Sequence, residues 1–346
     1  MKNKILFICK NRVDNYGNSF GLINSARFVS HFLNSVNIDS EVISVIDSNK
    51  IDKEVTLRNP SHVFIEALFV SPEKIKEILS IPRHKKRKWI IRIHSRIPFL
   101  ANEGIAIKWI AEYSNIQKEF DNLYLAPNGF EETRDFMNIF KGKWVHLPNV
   151  YSVPDCDFDI VQDKNPAILD VGCFGAIRPM KNSLIQAFAA IEYADRAKKK
   201  LRFHINSNRL EQNGDQVLKN IQELFKGLDQ KHFELIEHPW LMYKDFINLV
   251  RTMDIGMQVS FSESFNIVAA DFVSNNIPII VSPEVKWMNF IYKADPNSSD
   301  NIVDTLSIAM FLKKFNIHYV NKVNLYMHNR YSETLWLNFL AISPTI

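Results

Sequence analysis

The stretch DIGMQVSFSESFNIVAADFVSNNIPIIVS, residues 254–282, carries the clearest secondary-structure pattern in the chain. An apolar run at 255–259 leads into a polar turn, a helical pattern covers 267–274, and a second apolar run covers 277–281. Strand, helix and strand in this order are the repeating unit of a parallel, doubly wound sheet. The stretch therefore predicts an α/β fold.

The same alternation extends over most of the chain, in two series. The series that contains this stretch also has strands predicted at 167–171, 201–205 and 233–237 and helices at 183–197, 216–225 and 243–252. The earlier series has strands predicted at 4–9, 42–46, 62–70, 89–94, 123–125 and 144–147 and helices at 21–33, 105–115 and 130–140. A further helix is predicted to open at Ser71-Pro72, because serine suits the N-cap and proline the first turn. Two such series predict two Rossmann-like domains with a ligand cleft at the carboxyl ends of their strands.

The segment SVPDCDFDIVQDKNP, residues 152–166, separates the two series. It is acidic, contains proline and shows no lasting period, so it predicts an interdomain linker. The expected organisation is an N-terminal domain at 1–151, a C-terminal domain at 167–320 and a terminal segment at 321–346. Within that segment, Ser332 to Ala341 predicts a capped, aromatic-rich helix that needs a surface to dock on.

Length and composition fit this division. A chain of 346 residues exceeds the size at which one hydrophobic core stops growing, and 46% hydrophobic with 23% charged residues excludes disordered and fibrous classes. No apolar run approaches the length of a membrane span and no signal peptide is recognisable, so we expect a soluble, cytoplasmic protein. The three cysteines, Cys9, Cys156 and Cys173, are too far apart to suggest a disulfide framework or a CxxC metal site.

The polar turn in the opening stretch carries the first candidate site. Glu263 lies at the carboxyl end of a predicted strand, and Asp271 lies in the first turns of the following helix. Helix N-termini attract phosphate through unpaired amides and the helix dipole, and a nearby carboxylate can accept hydrogen bonds from sugar hydroxyls. The alternative interpretation is plain surface capping by Glu263 and a solvated Asp271.

A second candidate site lies in ILDVGCFGAIRPMKNSLIQAFAA, residues 168–190. A strand leads into a loop with Gly175, Arg178 and Lys181, and a helix starts at Ser183. Two cations beside a helix N-terminus predict a diphosphate cradle. An exposed basic loop is the alternative.

Two further features of the N-terminal half are candidates. The loop after the first strand contains Gly17, Ser19 and Gly21, a weak nucleotide-binding signal. The run IIRIHSR places His94 at the end of a strand, with two arginines, Arg92 and Arg96, beside it for an anionic acceptor.

The opening stretch resembles the donor-site signature of retaining GT-B glycosyltransferases of the glycogen-synthase-like and mannosyltransferase-like group, family GT4. In that signature a Glu, an aromatic-glycine turn, a second acidic residue eight positions on and a Gly-x-Pro-Val-Val strand follow in order. This chain has Glu263, Ser264-Phe265-Asn266, Asp271 and Asn276-Ile277-Pro278-Ile279-Ile280. Asp271 replaces a Glu, and two asparagines replace glycines. Asparagine tolerates the left-handed backbone better than other non-glycine residues, so both replacements are physically reasonable.

The resemblance implies a GT-B architecture: two doubly wound parallel-sheet domains, an interdomain cleft and a C-terminal helix that crosses back to the first domain. It implies that Glu263 contacts the donor sugar, that the amides around Ser264, Phe265 and Asn266 bind the diphosphate, and that Asp271 binds the ribose. Lys181 and Arg178 would neutralise the leaving phosphates, although Arg178 lies nearer the lysine than the family's arginine does.

For the N-terminal domain the resemblance implies that His94 contacts the donor sugar and the reacting centre. It also implies that the loop with Gly17, Ser19 and Gly21 touches donor phosphate or acceptor. No metal and no cofactor are expected. The co-substrate is a nucleoside-diphosphate sugar, most simply a UDP- or GDP-sugar, and the leaving phosphate itself takes the acceptor proton.

The acceptor stays open at this stage. Family habit favours a saccharide or a lipid-linked glycan. The lysine- and asparagine-rich composition, with the basic run at 83–88, keeps open a phage-type DNA glycosyltransferase that acts on a hydroxymethylated base. The departures at Asp271 and Asn266 keep open a non-catalytic nucleotide-sugar-binding protein.

Overall fold

The structure, a computed structural model, describes residues 4–11, 20–152 and 165–341. The chain divides into two compact units. Unit 1 comprises Met1–Pro154 and His328–Ile346, and unit 2 comprises Asp155–Met327. Most of the predicted linker, residues 153–164, lies outside the described residues.

Unit 1 is built on a five-stranded parallel sheet with strand order β2-β1-β3-β4-β5. Its elements are β1 (Ile5–Lys10), α1 (Phe20–Ser35), β2 (Ser40–Val45), α2 (Ile51–Arg58), β3 (His62–Glu66), α3 (Pro72–Ser80), β4 (Lys88–Ile93), α4 (Ile97–Leu100), α5 (Ala106–Ile116), β5 (Leu123–Pro127) and α6 (Phe130–Ile139). As the sequence predicts, Ser71 caps α3, and its hydroxyl accepts a hydrogen bond from the Lys74 amide at 3.3 Å. The chain order reverses between β1 and β3, which is where ligands of such sheets bind.

The strand predicted at 144–147 does not form as a full strand. Val145 donates its amide to the Leu125 carbonyl and Leu147 donates to the Pro127 carbonyl, so the segment follows β5 at the sheet edge. Pro127 has no N–H with which to return a hydrogen bond, and only Trp144 forms a bridge, with Leu125. The segment is therefore an incomplete edge.

Unit 2 has its own five-stranded parallel sheet, in the order β10-β9-β6-β7-β8. Its elements are β6 (Ile168–Cys173), α7 (Ser183–Arg196), β7 (Lys200–Asn206), α8 (Gly214–Lys226), β8 (Phe233–His238), α9 (Tyr243–Arg251), β9 (Ile255–Gln258), α10 (Ile267–Ser274), β10 (Ile279–Val281) and α11 (Ser299–Lys313). Here the chain order reverses between β6 and β9. The two candidate loops of the sequence follow these two strands, so the fold places them at one switch point.

The last helix corrects a prediction. Residues Val320–Phe339 form one continuous helix, α12, whereas the sequence predicts a start at Ser332. Ser332 is fully buried inside the helix and lies 3.3 Å from His328 Nε2, so it is no N-cap. No glycine or proline interrupts residues 320–339, so the helix continues through a residue that would suit a cap elsewhere.

The carboxyl part of α12 belongs to the core of unit 1. Trp336 has no exposed surface, its ring lies 5.1 Å from that of Phe64 and 5.9 Å from that of Phe7, and its Nε1 donates to the Pro148 carbonyl at 2.8 Å. Among the described residues, no helix is long and apolar enough to cross a bilayer.

Candidate functional site

The centre of the site in unit 2 is an ion pair between two loops. The Lys181 ammonium, in the loop after β6, contacts the Glu263 carboxylate, in the loop after β9, and lies 3.3 Å from Gln258 Oε1. Both side chains are largely shielded, with 14% and 9% exposure. The structure therefore brings together the two residues on which both sequence windows depend.

Gln258, the last residue of β9, supports this pair through the hydrogen bonds of its side-chain amide. Its Nε2 donates to the Phe174 carbonyl at 2.7 Å, and its Oε1 accepts from Asn266 Nδ2 at 3.0 Å as well as from Lys181. One amide thus ties the β6 loop, the pair and the start of α10 together. Sequence reasoning missed Gln258, because an amide inside an apolar strand carries no sequence signal of its own.

The start of α10 is capped by an asparagine where the family signature has glycine. Asn266 has φ 61° and ψ 87°, and its Oδ1 accepts from the Ala269 amide at 2.9 Å. Asn276 also has a positive φ, 59°. The expectation that asparagine serves the left-handed backbone at both positions is confirmed, and at Asn266 the side chain adds a cap that glycine lacks.

The loop after β6 is held by side chains rather than by regular structure. Asn182, at φ 59°, donates to the carbonyls of Val259 and Pro296, and Gln186 accepts from the Val259 amide at 2.9 Å. Gly175 has φ 119°, a conformation that side chains rarely adopt. These contacts set the backbone that presents Lys181.

Arg178 takes a different position from the one that the cradle predicts. Its Nη1 lies 3.1 Å from Glu211 Oε2, and Arg209 contacts the other oxygen of the same carboxylate. Burial would raise the pKa of Glu211, but the two guanidinium groups outweigh it and hold that pKa below its usual range. The structure thus pairs Arg178 with Glu211 and Lys181 with Glu263.

Asp271 is buried in the second turn of α10 and accepts a hydrogen bond from the Tyr243 hydroxyl at 3.3 Å. Tyr243, the first residue of α9, is a site residue that the sequence did not reveal. Phe265 is also buried. Its ring packs 5.8 Å from that of Trp287, whose Nε1 donates to the Phe265 carbonyl. Its side chain is therefore an anchor for the loop, and the neighbouring Ser264 is the more accessible of the two.

A polar relay runs from the middle of β6 to the carboxyl end of β8. Arg202 binds Asp170 through two contacts of 2.6 Å, His204 lies 2.9 Å from Asp170, and His238 lies 2.9 Å from His204. Burial would raise the pKa of Asp170, yet His204 and Arg202 lower it to about 2. Beyond the relay, the Arg209 guanidinium lies over the Trp240 ring at 4.6 Å.

Unit 1 holds a buried charge cluster at the carboxyl ends of β3 and β4, beside its switch point. Arg92 contacts Glu66 at 3.2 Å, and His94 Nε2 lies 2.6 Å from the same carboxylate. Burial alone would raise the pKa of Glu66, but Arg92 and His94 hold it below its usual range. Burial and Arg92 lower the pKa of His94, against the attraction of Glu66. The structure therefore gives His94 a carboxylate partner, Glu66, that the sequence did not indicate.

The placement of Arg92 corrects a prediction. Arg92 has no exposed surface, and besides Glu66 its guanidinium reaches the Leu147 carbonyl and Asn149 Oδ1. Arg92 is therefore a structural residue, because its side chain is buried and does not reach solvent. It is not placed to meet an acceptor. Arg96 is bound to Glu131 and Glu132 of α6 at 2.5 and 2.8 Å.

The remaining candidates lie outside the two clusters. Gly17 and Ser19 lie outside the described residues. Gly21 is the second residue of α1, where an added Cβ would meet nothing within 4 Å, so nothing local requires a glycine there. The described residues contain no group of three or more His, Cys, Asp or Glu side chains arranged to hold a metal ion.

The basic run at 83–88 is partly turned inward. Arg83 and His84 both bind Asp52, and Arg87 binds Asn59. Lys85 and Lys86 remain exposed.

No protein-family profile matches the chain, and no curated protein matches its sequence. Solved structures do share its fold. Apo OtsA superposes with a TM-score of 0.68 at 8% identity, over 99% of this chain and 100% of that one. A structure described as trehalose-6-phosphate from E. coli bound with UDP-2-fluoro glucose gives 0.64 at 8% identity, over 97% and 98%. Anabaena HepE in complex with UDP and glucose gives 0.63 at 12%, over 98% and 99%.

These similarities establish the architecture. The chain has the GT-B fold, α/β with two parallel five-stranded sheets, as the sequence predicts. Sequence identities of this size carry the fold and leave the activity to be argued from the site.

Proposed function

We propose that the protein is a glycosyltransferase, a hexosyl- or pentosyltransferase of class EC 2.4, that uses a nucleoside-diphosphate sugar. The observation that carries the proposal is the contact between Lys181 and Glu263 at the switch point of unit 2. A shielded cation and a carboxylate on opposing loops offer one group for a diphosphate and one for sugar hydroxyls. The fold is shared with a structure bound with UDP-2-fluoro glucose and with one in complex with UDP and glucose.

In the proposed mechanism the chain stabilises the leaving group by electrostatics. Lys181 moves from Glu263 to the departing diphosphate, and the amides at the start of α10 add their dipoles. Glu263, released from the lysine, accepts hydrogen bonds from the donor sugar. Asp271, oriented by Tyr243, accepts from the ribose. The catalytic role that the sequence predicts for His94 is part of this proposal, and Glu66 would orient its ring.

We further propose that transfer retains the anomeric configuration and needs no metal or other cofactor. The departing phosphate oxygen takes the acceptor proton on the face from which it leaves, so no separate general base is needed. The GT4-like assignment belongs to this part of the proposal. NMR assignment of the anomeric configuration of the product tests it, and an inverted product would contradict it.

UDP-glucose is the first donor to test, since the E. coli structure holds UDP-2-fluoro glucose and the HepE structure holds UDP and glucose. A panel of UDP-, GDP- and ADP-sugars should be assayed for transfer and for hydrolysis. Clear binding with no turnover on any donor would favour the alternative of a non-catalytic nucleotide-sugar-binding protein.

Substitution of Lys181 is the direct test of the site. We expect Lys181→Ala to lower turnover by about a hundredfold to a thousandfold, the usual cost of one group that stabilises transition-state charge. Lys219→Ala, an exposed lysine of α8 in the same unit, is the matched control. Near-normal turnover in Lys181→Ala would remove the site assignment.

For the acceptor we propose a saccharide or a lipid-linked glycan. The alternative of a hydroxymethylated base in DNA rested on composition and on the basic run at 83–88. Within that run His84 and Arg87 are buried against Asp52 and Asn59, and Arg83 pairs with Asp52 while staying half exposed. Binding to duplex DNA that weakens steeply with added salt would revive that alternative. Absence of DNA binding at low salt would remove it.

A further inference from the structure

The stretch from Ile308 to Met327, in unit 2, exposes an unusual number of large apolar side chains. Of the twenty-three large hydrophobic residues that are exposed in the described part of the chain, eight lie in these twenty residues. We call these eight residues, together with Lys313, Lys314 and Lys322, the aromatic–basic surface. The apolar members are Ile308, Phe311, Phe315, Ile317, Tyr319, Val323, Tyr326 and Met327.

Both helices of the stretch bury one face and expose an apolar one. On α11, Ile308 and Phe311 are three residues apart, and Phe315, just past the helix end, packs its ring 5.2 Å from Phe311. Leu306 and Ala309 form the buried side of the same helix. On the first turns of α12, Val323, Tyr326 and Met327 share a face by their spacing, while Leu325 is buried. Each helix therefore has a separate set of buried apolar residues for packing, and the exposed apolar residues are additional to that set.

The charged side chains of residues 308–327 are all lysines, although two acids lie beside the stretch. Asp254 pairs with Lys313, and the exposed Asp304 lies one turn before Ile308. No aspartate or glutamate lies between Asp304 and Glu333, whereas Lys313, Lys314 and Lys322 lie within the stretch. Lys313 donates to the Asp254 carbonyl. Lys314 and Lys322 are exposed.

We propose that the aromatic–basic surface docks on an anionic lipid bilayer. Exposed aromatic and aliphatic side chains with exposed lysines among them are the composition that binds the interface of a charged membrane. A second copy of the chain is the weaker occupant, because a symmetric pairing would bring the exposed Lys314 and Lys322 of both copies together. Eight exposed large apolar side chains within twenty residues are uncommon on soluble monomers without a partner. The inference rests on this surface alone and is independent of the proposed transferase activity.

The test is cosedimentation of the full chain with lipid vesicles. We expect binding to vesicles of phosphatidylcholine mixed with phosphatidylglycerol, little binding to phosphatidylcholine alone, and weaker binding as salt is raised. The double variant Phe311→Ser with Phe315→Ser should reduce the partition coefficient by about tenfold or more, since both rings leave the interface. Leu57→Ser with Ile139→Ser, two exposed apolar residues of unit 1, is the matched control and should bind like the parent.

Two lysine-to-glutamate double variants separate docking at this surface from an effect of net charge. Lys314→Glu with Lys322→Glu should weaken binding by well over tenfold, since each lysine near an anionic surface contributes about a fivefold factor and each glutamate adds repulsion. Lys85→Glu with Lys86→Glu makes the same change of net charge on unit 1 and should have little effect. Circular dichroism and thermal unfolding confirm that each variant is folded.

Three results would overturn the proposal. The chain fails to bind the anionic vesicles, or the unit 1 variants lose as much binding as those of the surface. Alternatively, light scattering shows a dimer that Phe311→Ser with Phe315→Ser dissociates, which would make the surface an interface between copies. Donor binding measured in the same variants is expected to be unchanged, so failure of the membrane proposal is distinguishable from failure of the proposed function.

Discussion

Both units place charged residues at the carboxyl ends of their strands but hold them in different ways. In unit 2, Lys181 and Glu263 lie on loops and contact each other, and Lys181 also contacts the side-chain amide of Gln258. In unit 1, Glu66 and Arg92 lie opposite each other in register on β3 and β4, with no exposed surface on either side chain. A loop-borne pair can exchange its partner for a ligand, whereas a strand-borne pair is fixed by the sheet. We therefore expect the first to act on substrate and the second to hold shape and orient His94.

The largest expected effect is the loss of the strand-borne pair. Glu66→Gln leaves the Arg92 guanidinium buried without its countercharge, which should destabilise unit 1 by about 3–5 kcal/mol. Denaturant unfolding followed by fluorescence reports on it directly, because Arg92 lies 5.1 Å from the Trp336 ring. Glu234→Gln, which removes an exposed partner of Lys200, is the control and should cost less than about 1 kcal/mol. An equally small loss for Glu66→Gln would end the contrast between the units.

The loop-borne pair should show the reverse balance. Glu263→Gln is expected to lower kcat/KM by about a hundredfold, because the sugar loses a charged acceptor at the reacting end of the site. The free energy of unfolding should change by no more than about 1 kcal/mol, since Lys181 can turn to solvent. Steady-state kinetics and thermal unfolding measure the two, with Glu223→Gln on α8 as control. Destabilisation as large as that of Glu66→Gln would show that this pair too is structural.

Acidification should weaken unit 1 through its buried histidines. Burial lowers the pKa of His62 and of His328 to about 4 each, below the value of about 6.5 for an unfolded histidine. The unfolded state thus binds more protons below pH of about 6.5, so stability is complete above that pH and falls as pH approaches 4. The loss should be on the order of 1–2 kcal/mol per histidine at about pH 5. The free energy of unfolding should depend less steeply on pH in His62→Phe than in the parent, and as steeply as in the parent in His232→Gln, whose side chain is exposed. The same pH dependence in His62→Phe as in the parent would contradict the assignment.

The smallest effect concerns the support of Asp271. Tyr243→Phe removes one hydrogen bond to that carboxylate, and we expect KM for the donor to rise about fivefold with kcat little changed. Tyr193→Phe on α7 serves as control. A fall in kcat with unchanged KM would mean that Tyr243 acts on the reacting centre instead.

The sequence predicts the fold well where periodicity and turn chemistry agree. The strand, turn and helix around Glu263 and the loop with Lys181 follow local rules, so the sequence places each loop at the carboxyl end of a strand. That the two loops share one switch point follows only from the observed strand order. Ser332 shows the limit of such rules. A serine before an apolar run satisfies the capping pattern, but the packing of Trp336 and the absence of a breaker continue the helix through it.

The partners of the site residues could not be predicted in the same way. Glu66 lies inside the strand predicted at 62–70, although β3 ends at this residue, and Gln258 is the last residue of β9. Nothing local says which residue across the sheet each will meet. Arg178 stands in the loop that suggests a cradle, yet Glu211, distant in sequence, binds it. Such pairings are decided by the register of strands and the path of loops, which periodicity does not encode.

The asparagines at left-handed positions have a consequence at the level of the gene. Of the eleven non-glycine residues with positive φ in the described part of the chain, seven are asparagine. Asparagine codons are rich in A where glycine codons are rich in G, so a coding sequence that drifts toward A and T can exchange one residue for the other at modest folding cost. The exchange preserves the turns while it erases the glycines by which a signature is recognised. A protein that has changed in this way still shares its fold with other proteins after its sequence no longer resembles theirs.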